Sequence, residues 1–250
     1  MVDLAGLVAI VTGSSKGLGR VEAIELARAG AKVVVIARNL DEVQAVVRQI
    51  VDDGGEAIGL SCDVVDRVRV HEVVQEVAAT YGRIDILINN AQYIPGPKAI
   101  EEWAEDEHRR IWESGFLGTF NFMVECLPLL KVRGGKIMNT CSGAGHGYLW
   151  GTSSYGATKE AIRTLTRHAA KEWGKYGICV NVLAPATLSP GAVDCMTPEM
   201  EQEILSMFAI KRWSDPVEEI AKVVVFLVGP NGSYATGNTI SLDGGAAMVV

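Results

Sequence analysis

Cysteine is scarce and unpaired in this chain. Its five cysteines, Cys62, Cys126, Cys141, Cys179 and Cys195, are odd in number, and no two form a C-x-x-C pair. That argues against a disulfide framework and a thiolate zinc site, leaves the thiols as buried filler, and fits a reducing cytoplasm. The four histidines (His71, His108, His146, His168) lack metal-ligand spacing, so no metal is expected. Positive charge is also short, with 23 Lys and Arg against 30 Asp and Glu and a net charge of −7 spread without a basic stripe. Nucleic acid is therefore not an expected partner. The longest apolar runs, such as Val223 to Val228, fall well short of a membrane span. The opening Met1-Val2-Asp3-Leu4-Ala5 runs straight into a strand pattern, which leaves no room for a signal peptide. The expectation is a soluble cytoplasmic protein without a membrane partner.

What the chain does have is alternation. With 250 residues, 48% apolar and 21% charged, it suits one large α/β domain spanning residues 1–250. Short β-branched runs at Leu7–Val11, Lys32–Ile36, Ala57–Ser61, Ile84–Asn89, Lys136–Thr140 and Ile178–Leu183 read as buried parallel strands. Helical spacing fills the intervals, including an apolar stripe Leu40, Val43, Val46, Val47, Ile50, Val51 and a long helix around Phe116 to Leu130. This order predicts a doubly wound, Rossmann-like parallel sheet with helices on both faces and ligands at the carboxyl ends of the strands. The long irregular stretch, about 184–213, reads as a substrate loop.

Two motifs carry chemistry. Thr12-Gly13-Ser14-Ser15-Lys16-Gly17-Leu18-Gly19 follows the first strand and opens a helix, the context in which glycines admit a nucleotide pyrophosphate to a helix N-terminus. Tyr155 and Lys159 stand four residues apart, on one face of a helix, where a cation would stabilise phenolate and let the tyrosine trade protons well below its free pKa of about 10.

With Asp63, Asn89-Asn90-Ala91, Ser142 and Leu242-Asp243-Gly244-Gly245, these motifs stand in the order found in the short-chain dehydrogenase/reductase family, which the whole chain resembles. The resemblance implies Ser142, Tyr155 and Lys159 as catalytic residues, with the serine steadying the substrate oxygen and the lysine tuning the tyrosine. It implies a cofactor site of Gly13, Ser14, Ser15, Lys16, Gly17, Leu18, Gly19, Arg38, Asp63, Val64, Asn90, Ala91, Tyr155, Lys159, Pro185, Thr187 and Leu188. Asp63 and Val64 would meet adenine, although Asp63 also reads as a helix N-cap. Ala37 lacks the carboxylate that would bond an NAD ribose, while Lys16 and Arg38 suit a 2′-phosphate, so the cofactor is read as NADP(H). Gln92, Tyr93, His146, Trp150, Met196 and Phe208 are the substrate-lining candidates. Ser153 and Ser154 read as helix caps.

Three departures accompany the resemblance. An Asn of the family pattern falls on Gly115, a Gly falls on Gln92, and a Thr falls on Pro190. In the family, that Asn supports a kinked helix, and a glycine there should leave the helix soft or kinked. The implied activity is an NADPH-dependent carbonyl (ketone) reductase, reversible as an alcohol dehydrogenase, acting on a small carbonyl or alcohol substrate. A homotetramer or homodimer is expected, through the helix from Phe116, the Tyr155 helix with Ala157, Ala161, Ile162, Leu165 and Ala169, and the apolar tail Ala246 to Val250. The alternative is a catalytically weakened nucleotide-binding regulatory or scaffold protein on the same fold.

Overall fold

The computed structural model of the protein describes residues 2–143, 149–188 and 196–247. Among the described residues, seven strands form one parallel sheet: β1 Val8–Thr12, β2 Lys32–Ala37, β3 Glu56–Ser61, β4 Ile86–Asn89, β5 Gly135–Thr140, β6 Ile178–Pro185 and β7 Thr239–Leu242. Their spatial order is β3-β2-β1-β4-β5-β6-β7. The chain builds outward from β1 through β2 to β3, then returns to pair β4 with the other edge of β1, aligning Val11 with both Val35 and Ile88. The reversal opens a crevice beyond the carboxyl ends of β1 and β4.

The helices are α1 Gly17–Arg28, α2 Leu40–Asp52, α3 Arg67–Tyr81, α4 Glu105–Trp112, α5 Gly118–Arg133, α6 Ser153–Trp173, α7 Pro198–Met207 and α8 Lys222–Val228. All residues of β1 and β4 are buried, which is why they read as unbroken apolar runs. Within β1, Val8 and Ile10 feed the core beneath α3, α5 and α6, whereas Ala9 and Val11 feed the opposite core beneath α1, α2 and α8.

Several sequence expectations are corrected. The α2 stripe is narrower than it reads, because Leu40 and Val51 are exposed. The helix expected to start near Phe116 begins at Glu105, passes through a π-helical turn at Glu113–Leu117, and continues as α5. That stretch, Glu105–Arg133, does reach the length and apolarity of a membrane span. Its interior residues Phe122, Met123, Cys126 and Leu130 are nevertheless buried against the sheet, so the apolarity is that of a core face. Cys62, Cys126, Cys141 and Cys179 are buried free thiols, as expected; Cys195 lies outside the described residues.

Candidate active site

The β1–α1 turn presses directly on the end of β4. Gly13 has φ +64°, and a Cβ there would come within 2.7 Å of the Ala91 Cα. A Cβ at Gly19 would overlap Asn90 Nδ2. Asn90 closes the contact by donating from Nδ2 to the carbonyls of Gly13 (3.1 Å) and Thr12 (3.3 Å). The N–H groups of Asn90 and Ala91 both donate to Thr12 Oγ1, at 3.1 and 3.2 Å. The start of α1 has no side-chain cap, so its first N–H groups remain available to an anion. Lys16 and Arg38 are exposed, and among the described residues neither side chain has an ion-pair or hydrogen-bond partner. A cradle that side chains would fill, an uncapped helix start and two uncommitted cations fit a dinucleotide phosphate.

The other members of the expected set lie around this turn and the neighbouring strand ends. The Ser14 side chain is fully buried, donating to the Val11 carbonyl (2.7 Å) and accepting from the Ile36 N–H (2.9 Å). Its hydroxyl joins β1 to β2. Ser15 Oγ donates to Glu42 at 2.8 Å. Asp63 is exposed at the end of β3 and accepts from the Val65 N–H, while the cap of α3 is Asp66. Val64 is buried, a Cβ at Gly118 would overlap its side chain, and its carbonyl accepts from Asn121 Nδ2 at 3.0 Å. Leu18, Pro185 and Thr187 line the adjoining cavity, and Leu188 is half-buried outside its lining.

Helix α6 carries the proton chemistry. Thr152 is its N-terminal boundary residue and makes no side-chain cap bond; Ser153 and Ser154 are the first helical residues rather than caps. Ser154 Oγ instead lies 2.7 Å from His108 Nδ1 on α4. Tyr155 is hydrogen-bonded to Ser142. Lys159 is 2% exposed, donates to the Thr140 carbonyl at 2.8 Å and lies 5.3 Å from the centroid of the Tyr155 ring. A buried ladder fixes α6 to the sheet: Asn89 donates to Asn139 (2.8 Å), which donates to Thr166 (2.9 Å). The expected lowering of the tyrosine pKa by the lysine is not what these groups produce. Burial pushes the phenol up, and the Ser142 hydrogen bond pulls only partly against it. Burial brings Lys159 down to about 8. The ammonium is turned to a backbone carbonyl, and desolvation dominates both groups.

Ser142, Tyr155 and Lys159 meet at a cavity of about 370 Å³. Leu149, Trp150 and Met196 are part of its wall, as are Met200, Ile204 and Met207 from one face of α7. Among the described residues its charged lining groups are Lys159 and Asp243. The Asp243 carboxylate accepts from the N–H groups of Gly245 (3.0 Å) and Ala247 (3.1 Å), which turns Ala246 and Ala247 into the wall. Phe208 lines the cavity and packs edge-on against Trp213. Tyr93 does not line it, because its ring lies beneath the Arg110 guanidinium at 4.2 Å. Gln92 lines it while directing its amide into the protein. His146 and Pro190 lie outside the described residues. The contribution of α7 is missing from the sequence reading, although Thr197-Pro198-Glu199 signals a helix start: Thr197 accepts from the Met200 N–H at 3.3 Å, with proline in the first turn.

Comparison with known proteins agrees with this geometry. The family described as short chain dehydrogenase matches residues 7–201. A 12α-hydroxysteroid dehydrogenase of Clostridium sp. is 37% identical over 96% of both chains. A tropinone reductase homolog of Arabidopsis thaliana is 35% identical over 97% of this chain and 93% of its own. A 3-oxoacyl-[acyl-carrier-protein] reductase of Staphylococcus epidermidis is 33% identical over 96% of this chain and 98% of its own. Among solved structures, a 7α-hydroxysteroid dehydrogenase complexed with NADH and 7-oxo glycochenodeoxycholic acid superposes with a TM-score of 0.92 at 33% identity, covering 97% of this chain and 95% of that one. A dehydrogenase/reductase of Sinorhizobium meliloti gives 0.92 at 30% identity, covering 98% and 97%.

Proposed function

Because the chain belongs to the short-chain dehydrogenase family, we propose that it is an NADPH-dependent carbonyl reductase, reversible as an alcohol dehydrogenase, for bulky neutral ketones. Membership makes it an oxidoreductase of CH–OH and C=O groups that works with a nicotinamide cofactor. The observation that carries the finer reading is the Ser142–Tyr155 hydrogen bond beside buried Lys159, at a cavity walled mainly by apolar side chains.

When bound, the nicotinamide supplies the hydride for reduction and accepts it for oxidation. The glycine turn, the start of α1, Lys16 and Arg38 would hold its phosphates. Ser142 donates to the carbonyl oxygen as negative charge develops there. Tyr155, kept protonated by burial, delivers its proton to that oxygen, which leaves an alcohol. Lys159, cationic at neutral pH and anchored on Thr140, places positive charge beside the phenolate that forms. An NADPH-consumption assay over a ketone panel tests the reading. Neutral polycyclic or long-chain ketones should be reduced, and short oxo acids should not, because among the described residues no arginine lines the cavity to receive a carboxylate.

Ala37, Lys16 and Arg38 favour NADPH. A charge-assisted phosphate contact contributes roughly 1.5–3 kcal/mol, so kcat/KM with NADPH should exceed that with NADH by about tenfold or more. The NADH held by the 7α-hydroxysteroid dehydrogenase marks the competing outcome. Equal efficiency with the two cofactors would refute the preference, and Ala37→Asp with Arg38→Ile should turn it toward NADH.

We also read the protein as a cytoplasmic homo-oligomer, a tetramer by preference. Leu117 and Phe120 at the start of α5, Phe226 on α8 and Tyr234 ahead of β7 are exposed apolar groups that a partner copy would cover. Ile162 and Ala169 of α6 are buried within their own chain, so that helix contributes less contact surface than the sequence suggests. Light scattering should give a multiple of 26.8 kDa at micromolar concentration, and a monomer mass there would refute the oligomer.

A further inference from the structure

Two positions that depart from the family pattern, Gln92 and Gly115, touch each other. Gln92 leaves β4 beside the nucleotide crevice, and its Nε2 donates to the Ile111 carbonyl (3.0 Å) and the Tyr93 carbonyl (3.0 Å). Ile111 lies in the last turn of α4, immediately before the π-helical turn Glu113–Leu117. A π turn shifts the hydrogen-bond ladder by one residue, and carbonyls at the shift need donors from outside the helix. Gln92 supplies one. The same turn is gripped through Ser114, whose Oγ accepts from the Tyr93 N–H at 3.0 Å and donates to the Arg110 carbonyl at 2.7 Å.

The volume argument is independent of these bonds. Gly115 is buried at the centre of the π turn, and a Cβ built there would overlap Gln92 Oε1 and come within 2.6 Å of Thr158 Cγ2. Thr158 is 1% exposed and sits on α6 between Tyr155 and Lys159. The Gln92 side chain, with the Thr158 methyl, thus occupies the space that any side chain at 115 would need. Its Oε1 is buried and has no hydrogen-bond partner among the described residues.

We propose that Gln92 is a positioning residue, coupled to the missing side chain at Gly115, whose carboxamide seats the π turn against α6 and so sets the placement of Tyr155 and Lys159. The proposal rests on the reductase reading of the site. It makes the two departures one exchange: polar atoms that would reach from the helix toward β4 reach instead from β4 toward the helix. Moving the π turn moves its contact with Thr158, and with it the burial that governs both neighbouring titrating groups.

The test is a double-mutant cycle of Gln92→Gly, Gly115→Asn and the combination, with Gly115→Ala alone and in the Gln92→Gly background as the milder pair. Thermal midpoints are read for all variants, and kcat, KM and the pH profile of kcat are read with NADPH and a ketone that the wild type reduces. Each single change should lower kcat by about tenfold or more, with KM for NADPH little altered and the pH profile displaced. The Gln92→Gly/Gly115→Asn protein should recover kcat, midpoint and pH profile part of the way toward wild type, because the Thr158 methyl still meets a Cβ at 115, and Gly115→Ala should cost clearly less when Gln92 is Gly. An active wild type whose single effects simply multiply in the double variant overturns the coupling, as does Gly115→Asn alone matching or exceeding wild-type turnover. Coupled kcat values with an unmoved pH profile overturn the positioning role. A wild type that reduces no ketone overturns the function beneath it, and the thermal cycle, read without substrate, tells the two failures apart.

Discussion

Tyr155→Phe is expected to lower kcat by about 10²–10⁴-fold while leaving NADPH affinity essentially unchanged. The substitution keeps the ring and its packing and removes only the hydroxyl. That hydroxyl is the partner of Ser142, and burial holds its proton more firmly than water would. Such a group acts in the transition state, as the carbonyl oxygen becomes an alkoxide basic enough to take the proton. The cofactor is expected to be held by the β1–α1 turn, Lys16 and Arg38, none of which the change disturbs. The fall should therefore lie in kcat. Steady-state kinetics with a fluorescence titration of NADPH separate the two quantities. Retention of more than about a tenth of wild-type turnover would place the acid elsewhere.

The second large effect lies away from the cavity. Glu22 on α1 has no exposed surface, and among the described residues neither carboxylate oxygen has a hydrogen-bond partner. Ala23 and Leu26 beside it belong to the apolar core. Burial raises its pKa from 4.5 to about 8, so the folded protein carries this residue protonated at neutral pH. The sign follows from linkage. Below the unfolded value both states hold the proton and the group contributes no pH dependence. Between about 4.5 and 8 the unfolded chain releases the proton and the folded one keeps it, so stability falls as pH rises. The accumulated loss is on the order of 3–5 kcal/mol by the upper end of that window. Glu22→Leu keeps the approximate volume and removes the carboxyl. At pH 7.5 it should raise the thermal midpoint by roughly 6–12 °C, and at pH 5 by much less. Denaturation followed across pH 5–8 checks this; equal gains at both ends, or none, would show that Glu22 has a partner that compensates it.

Legibility differed sharply between elements. Strands β1, β2 and β4 were readable because burial on both faces leaves no polar residue to interrupt the run. β7 was not, since Thr239–Leu242 is a half-buried edge strand of four residues with no period to detect. Helix α7 hid inside a proline-bearing stretch, although its cap and first-turn proline were visible signals. Glycine at 115 marks a point where a helix yields, and in the structure it yields as a π turn. The fate of Ser14 and of the tyrosine pKa was invisible, because each depends on groups distant in sequence: Ile36 for the first, and for the second the protein packed around the phenol.

Local sequence patterns set the alternation of strands and helices, the glycine turn before α1, and the placing of Tyr155 and Lys159 on one helix face. These are local or periodic properties, set by backbone geometry over a few residues. Tertiary structure alone decided that Ser142 meets Tyr155, that Lys159 turns to Thr140, that α7 supplies an apolar wall, and that Gln92 fills the space above Gly115. Each of those outcomes is a contact between segments the sheet brings together, and burial, which no short window of sequence records, sets its strength and the protonation of the groups involved.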